Sequence, residues 1–227
     1  MKVAYMRIGK IFSALALVGF LSACALSRSE IDVPYQSSTQ PEAGVAVTVV
    51  TVDGRRFEAA PADPSIPSLK DSSQIADPQV TSRAVGRKRG GMGAALGDVL
   101  LAPPKTATSL VSDAVKAGLR DSGYRVLEPA DAGYAAASKV NVRIAEFWTW
   151  VTPGFATIKL DGAANLVIEG DLPPIRTPAT VSVRDTKGYG AIFESDWAPF
   201  IGATLTKIHE QVRSIMSPRT AALPHPG

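Results

Sequence analysis

Between Thr106 and Gly123, Leu110, Val111, Ala114, Val115, Gly118 and Leu119 recur at the i, i+3, i+4 spacing of one helix face. Pro103-Pro104 precede this stretch and Gly123 offers a stop, so the pattern predicts an amphipathic helix. A second stripe, Ile201, Leu205, Ile208, Val212 and Ile215, is spaced 4, 3, 4 and 3 and predicts a helix from about Pro199 to Met216, ended by Pro218. Between the two the period changes to two. Val140, Val142 and Ile144 alternate with Asn141, Arg143 and Ala145, and the run continues into Phe147-Trp148-Thr149-Trp150. Pro153-Gly154 reads as a turn. Ala156, Ile158 and Leu160, then Leu166 and Ile168, repeat the alternation until Pro173-Pro174. Thr180 to Arg184 and Tyr189 to Glu194 predict two further strands, and Tyr124 to Leu127 begins another. Earlier in the chain, Gly44 to Val52 is a β-branched run closed by Asp53-Gly54, a strand and its turn. Mostly consecutive strands favour an antiparallel sheet. The expectation is an α+β fold in two layers, with both amphipathic helices packed on one face of that sheet.

Three segments lack any period. Residues 24–43 are polar and Pro-bearing, the composition of a flexible tether. Phe57 to Thr81 is rich in Pro, Ser and Asp and reads as a long loop, of the length that is usually functional or disordered. Residues 219–227 form a short C-terminal tail. That leaves 44–218 as a single α+β domain.

The N-terminus carries a different signal. Lys2, Arg7 and Lys10 precede an apolar stretch, Ile11 to Phe20, which leads to Leu21-Ser22-Ala23-Cys24. A positive region, a short apolar region and small residues make a secretory signal over residues 1–23. The Leu-Ser-Ala-Cys ending resembles the lipobox of bacterial lipoproteins, in which the cysteine receives a diacylglyceryl group, the peptide is cut before it and the new amino group is acylated. Cys24 is thus the expected lipid-attachment site. Ala23-Cys24-Ala25 also reads as the A-x-A of an ordinary signal, with cleavage after Ala25. An uncut membrane anchor is excluded by length, because spanning needs about 20 apolar residues. Ala25 after the cysteine, in place of Asp, resembles the pattern sorted to the outer membrane.

The signal changes the charge argument. The chain has 24 Lys and Arg against 21 Asp and Glu. Removing residues 1–23 takes Lys2, Arg7 and Lys10 and no acid, which leaves a neutral chain of 204 residues. The basic balance belongs to targeting and gives no reason to expect nucleic acid as a partner. With its single cysteine lipidated, the chain keeps no thiol for a disulfide, so an envelope location leaves the fold to packing alone.

Val85-Gly86-Arg87-Lys88-Arg89-Gly90-Gly91-Met92-Gly93, the helix around Val111–Leu119 and Asp121-Ser122-Gly123-Tyr124-Arg125-Val126 together resemble the YajG family of bacterial lipoproteins. The resemblance covers roughly Val45 to Met216 and the lipobox. It implies an outer-membrane lipoprotein with a periplasmic domain of unestablished role, a helix ending in a Gly-aromatic-x-Val turn, and an antiparallel sheet. The long 57–81 segment departs from that pattern.

Two clusters suggest contact surfaces. Arg83, Arg87, Lys88 and Arg89 accompany the glycine-rich stretch from Gly86 to Gly97, a candidate contact for anions or lipid headgroups. The spacing is neither a P-loop nor Gly-x-Gly-x-x-Gly, and the plain alternative is a solvated loop. Phe147, Trp148, Trp150 and Phe155 gather at one strand end, with Trp148 and Trp150 as candidate partner contacts. Adjacent aromatics on a strand point to opposite faces, so the plain alternative is a bulge, or a core extended by the long loop. Two histidines, His209 and His225, and no second cysteine give no metal-ligand spacing. No Gly-x-Ser-x-Gly marks a nucleophile. No catalytic residue, metal or cofactor is expected. The expected function is binding by a lipid-anchored periplasmic domain, as an accessory or scaffold in envelope assembly or lipid traffic. Its expected partners are the membrane through its anchor, and an envelope complex or anionic lipid. The alternative is a small-ligand or cell-wall-binding lipoprotein that uses strand 147–155.

Overall fold

A computed structural model describes residues 28–35, 38–90, 94–154 and 157–217. Cys24, Phe155, His225 and the 219–227 tail, all named above, lie outside the described residues.

Eight strands form one sheet: β1 (Ser29–Ile31), β2 (Ala46–Asp53), β3 (Ala84–Arg89), β4 (Ala95–Leu101), β5 (Arg125–Val126), β6 (Ser138–Thr152), β7 (Ile158–Gly170) and β8 (Ala179–Tyr189). The helices are α1 (Pro78–Thr81), α2 (Ala107–Asp121) and α3 (Trp197–Met216). The α+β class is as expected. The pairing is mixed where an antiparallel sheet was expected: β6–β7, β7–β8 and β3–β4 are antiparallel, but β1–β4, β2–β5, β2–β6 and β3–β6 are parallel.

The long strand β6 organises the sheet. One edge pairs with β7 from Val140 to Thr152. The other edge serves two strands in succession, β2 along Ser138–Ile144 and β3 at Thr149–Trp150. A register shift between Ile144 and Glu146 places a bulge at Ala145, near the junction of those two partners.

Both long helices pack on one face. Leu110, Val111, Ala114, Val115 and Leu119 of α2 join Ile201, Leu205, Ile208 and Val212 of α3 in a core shared with Val140, Val142, Ile144, Leu166, Ile168, Val181 and Val183 of the sheet. Apart from Ile215, which is partly buried, the two predicted stripes are fully inside. Thr106 caps α2: its Oγ1 accepts from the Ser109 N–H at 3.1 Å, and the Ser109 Oγ accepts from the Thr106 N–H at 2.9 Å. At the other end Gly123, at φ +85°, takes the left-handed turn that the helix stop requires.

The opposite face is covered too, at one end. Trp148, Trp150, Ala163, Ala84, Leu100 and Leu69 form a second buried cluster with Phe57, Ile75 and Val80 against it. Phe57, Leu69, Ile75 and Val80 all belong to the long segment expected as a loop. That segment is therefore a third layer over part of the sheet, where two layers were expected. It is held by Asx turns at Asp63 and Asp71 and by the Asp77 cap of α1.

Two further expectations need correction. The tether 24–43 is docked within its described part. Ser29–Ile31 adds to the edge of β4, and Val33 is wholly buried. Ile31 and Val33 alternate with Glu30 and Asp32, a half-buried strand pattern. Gln40 then acts like a strand residue beside β5, donating to the Val126 carbonyl at 2.7 Å and accepting from the Val126 N–H at 3.3 Å. The strand expected over Tyr189–Glu194 is instead the end of β8 followed by a turn.

Candidate functional site

The glycine-rich basic stretch is a β-hairpin. β3 and β4 pair from Ala84 to Arg89, and the Gly90 N–H donates to the Ala94 carbonyl at 2.9 Å. Gly86 is small because of packing. A Cβ there would lie 2.7 Å from the Trp197 ring and 2.7 Å from the Thr149 carbonyl oxygen. This glycine thus admits Trp197 of α3 to the sheet.

The structure separates the four basic residues that the sequence grouped. Arg83 immediately precedes β3. Its Nε donates to the Leu101 carbonyl at 3.0 Å and its guanidinium pairs with Glu30. Arg87 is only 5% exposed, so it is no solvent-facing contact. Its guanidinium lies opposite Asp98 of β4, with Nε 3.8 Å from a carboxylate oxygen and Nη1 donating to the Ser68 Oγ at 3.2 Å. Lys88 and Arg89, both half-buried, continue toward the end of the hairpin, and the Lys88 Nζ donates to the Ser29 Oγ at 2.5 Å.

Asp98 is what the sequence reading missed. It is buried, and it accepts from the Lys70 N–H at 2.7 Å and the Arg28 Nη2 at 3.1 Å while facing Arg87. The third layer, β1 and the β3–β4 hairpin therefore converge on one carboxylate. A signal was present: Asp98 is the single acid between Asp77 and Asp113, and it follows a run rich in cations. Burial lowers the Arg87 pKa most, and the neighbouring Arg89 lowers it further, while Asp98 opposes both. Burial also lowers Arg89. Positive charge is crowded here.

Trp148 and Trp150 do not form a partner surface. They are 2% and 9% exposed, beneath Phe57 and Leu69 of the third layer. Phe57 meets Trp148 edge-on, ring centres 5.8 Å apart. Of the alternatives weighed for these aromatics, a bulge and an extended core are both present.

Two clefts flank the strand that leads into the third layer. One, of about 310 Å³, is lined by Asp53, Arg55, Phe57, Ile75 and α1. The other, of about 340 Å³, is lined by Arg56, Glu58, Arg143 and Glu146 with Ser65–Pro67. The first has little chemistry to offer a ligand, because Arg55 spends its donors on protein groups. His209 pairs with Asp121 at 2.7 Å on the helical side. Among the described residues no group of three or more His, Cys, Asp and Glu side chains could hold a metal ion, and no helix is long and apolar enough to cross a membrane.

No protein-family model matches this chain, and no curated protein does. Among solved structures, a protein from Xanthomonas campestris assigned to the family DUF330 is similar at 12% identity and a TM-score of 0.45, covering 84% of this chain and 93% of that one. A second, described as an uncharacterized protein, has 7% identity and the same TM-score, covering 84% of this chain and 98% of its own.

Proposed function

We propose that this protein is a YajG-like lipoprotein of the outer membrane, anchored through Cys24 and facing the periplasm. It acts by binding, as an accessory or scaffold in envelope assembly or lipid traffic. The observation that carries this reading is the docking of the chain onto the sheet from Ser29 onward. Cys24 precedes Ser29, the first residue of β1, by five positions. Five fully extended residues reach at most about 18 Å. An acylated Cys24 therefore holds the β1 edge of the sheet beside the bilayer, which gives the domain an orientation as well as a location. Each buried CH₂ of the acyl chains contributes about 0.8 kcal/mol, so a multiply acylated cysteine is a lasting anchor.

The small-ligand alternative loses its proposed surface, since Trp148 and Trp150 pack inside the second core. The test is density-gradient fractionation of cell envelopes. The unmodified chain should travel with outer membranes, and Cys24→Ser should leave that fraction. If both chains fractionate alike, the anchored reading is wrong.

A further inference from the structure

We infer that the outer edge of β8, from Val183 to Tyr189, pairs with the same edge of a second copy of this chain across a two-fold axis at Thr186. The inference is independent of the anchored reading, since a chain cut after Ala25 keeps this edge. β8 pairs with β7 on one side and with no other strand among the described residues. On the outer side the Ser182 N–H donates to the Gln211 Oε1 at 3.0 Å, and the Gln211 Nε2 donates to the Ser182 carbonyl at 2.8 Å. A side chain of α3 thus stands there in place of a neighbouring strand. Ser182 also fixes the parity. Arg184, Thr186 and Gly188 turn their N–H and C=O groups outward with it, and all three are exposed. Among the described residues no backbone group meets them on that side.

The side chains of this edge select both the partner and the register. Antiparallel pairing about Thr186 sets Val183 opposite Tyr189 of the second copy, and Asp185 opposite its Lys187, on the face toward the helices. On the other face Thr186 meets Thr186, a pair that hydrogen-bonds across strands. Arg184 there meets Gly188, which leaves room for it: a Cβ built at Gly188 has nothing within 4 Å. An axis at Asp185 would set two carboxylates face to face, and an axis at Lys187 two ammonium groups, and like charges directly opposite destabilise a pair. An axis at Arg184 would run the second strand into Gln211, and one at Gly188 would pair only the strand end. Charged side chains on an edge discourage casual pairing, and these leave one register open.

The pairing keeps the contacts these residues already make. Asp185 holds Lys207 and accepts from the Thr204 Oγ1 at 3.5 Å, and Arg184 holds Glu146 at 3.1 Å. Lys187 lies over the Tyr189 ring, 5.1 Å from its centre, with no carboxylate partner among the described residues. The second copy supplies one, its Asp185. The helices do not obstruct. Phe200 of α3 lies against Gly162, which pairs with Asp185, and Gln211 further along reaches Ser182. α3 therefore runs away from Thr186, and the two-fold sends the second helix the other way. The turn after Tyr189 carries Phe193, an aromatic ring 66% exposed. This register brings that turn toward Ser182 and Gln211 of the second copy.

The test uses the full chain in cell envelopes. Thr186→Cys places one thiol on the axis, and Cys24, acylated or cut away, contributes none. Mild oxidation should link most chains into disulfide dimers, because opposed residues of a hydrogen-bonded pair have Cα atoms about 5.5 Å apart, within disulfide reach. Glu169→Cys, exposed on β7, should stay unlinked. Gly188→Pro removes an outward N–H and leaves the β7 ladder intact. Added to Thr186→Cys, it should lower the ratio of linked to unlinked chain by about tenfold or more, since the two-fold repeats each lost bond. Lys187→Glu, which sets a second carboxylate opposite Asp185, should lower that ratio as well. Circular dichroism melts of each variant report folding separately. The unmodified chain, extracted in mild detergent, should sediment as a dimer, a reading that needs no substitution. Equal linking at 186 and 169, linking at 186 that survives both Gly188→Pro and Lys187→Glu, or an unmodified chain that sediments as a monomer at every concentration overturns the inference.

Discussion

Arg55 folds back onto Asp53, two residues before it, and holds both carboxylate oxygens. Its Nε donates to Oδ1 at 2.9 Å and its Nη2 to Oδ2 at 2.7 Å. The remaining donors go to the carbonyls of Thr81 at 2.9 Å, Ala84 at 2.6 Å and Phe147 at 3.2 Å. A guanidinium has five N–H groups, and all five are used. The end of β2, the end of α1, the start of β3 and the middle of β6 meet at this side chain. It sits where one edge of β6 passes from β2 to β3, so backbone groups left by the change of partner are satisfied there.

Arg55→Ala should therefore destabilise the domain by about 3–5 kcal/mol, since it strands a carboxylate and several carbonyls. Arg55→Lys should recover little of this, because an ammonium cannot present a planar fork. Urea unfolding monitored by circular dichroism checks both, and a Lys variant as stable as the parent would contradict the clamp.

The third layer is structural cover over the aromatic strand. Leu69→Ala should cost about 2–5 kcal/mol, the range for emptying a buried leucine site. All three tryptophans, Trp148, Trp150 and Trp197, are buried. Acrylamide should quench the native protein poorly, and Leu69→Ala should quench more readily before global unfolding. Strong quenching of the parent would mean that the 57–81 segment does not cover the sheet.

Gly118 lets α2 and α3 approach. A Cβ at this position would lie 2.8 Å from the His209 carbonyl oxygen and 2.8 Å from the Val212 Cβ. Gly118→Ala gains about 1 kcal/mol of helix propensity, but overpacking costs about 1–3 kcal/mol. Backbone on the facing helix cannot swing aside as a flexible side chain can, so the loss should win. A raised melting temperature for Gly118→Ala would refute this close contact.

The legible parts were those where one face is buried and the other is wet. The stripes of α2 and α3 gave both helices, and alternation from Val140 to Arg184 gave β6, β7 and the first half of β8. Three strands escaped for specific reasons. β1 is three residues inside a polar segment. β3 reads Ala-Val-Gly-Arg-Lys-Arg, and nothing local says that Arg87 will be buried, because it packs against Ser68, 19 residues earlier. β4 hides its pattern because both of its faces are covered, Val99 and Leu101 by the helical core and Leu100 by the second cluster. The parallel pairings escaped for a related reason: they join β1, β2 and β3 to strands distant in sequence, and no turn announces them. Of the candidate site, the concentration of positive charge was visible. The groups that meet Asp98 were not, since Arg28 and Lys70 come from segments expected as tether and loop.

Tyr35 gives the docked N-terminal segment a pH signature. Burial, followed by Asp121 and Asp113, pushes its phenol up from 10.0 to about 12. A raised folded-state value means that stability is complete below pH 10 and is lost as pH climbs toward 12, by on the order of 2 kcal/mol. Among the described residues the buried phenol oxygen has no hydrogen-bond partner. Tyr35→Phe should therefore leave stability at pH 7 unchanged or raised, and should flatten the fall between pH 10 and 12. An identical alkaline decline in both proteins would contradict the buried placement.

The proposed function turns on Cys24, because the proposed placement of the domain at a membrane needs an anchor five residues before β1. Mass spectrometry of the mature N-terminal peptide tests this most directly. The expected result is a chain that begins at Cys24 and carries diacylglyceryl and N-acyl groups. A chain beginning at Leu26, cut after Ala25 with the cysteine lost, would contradict it.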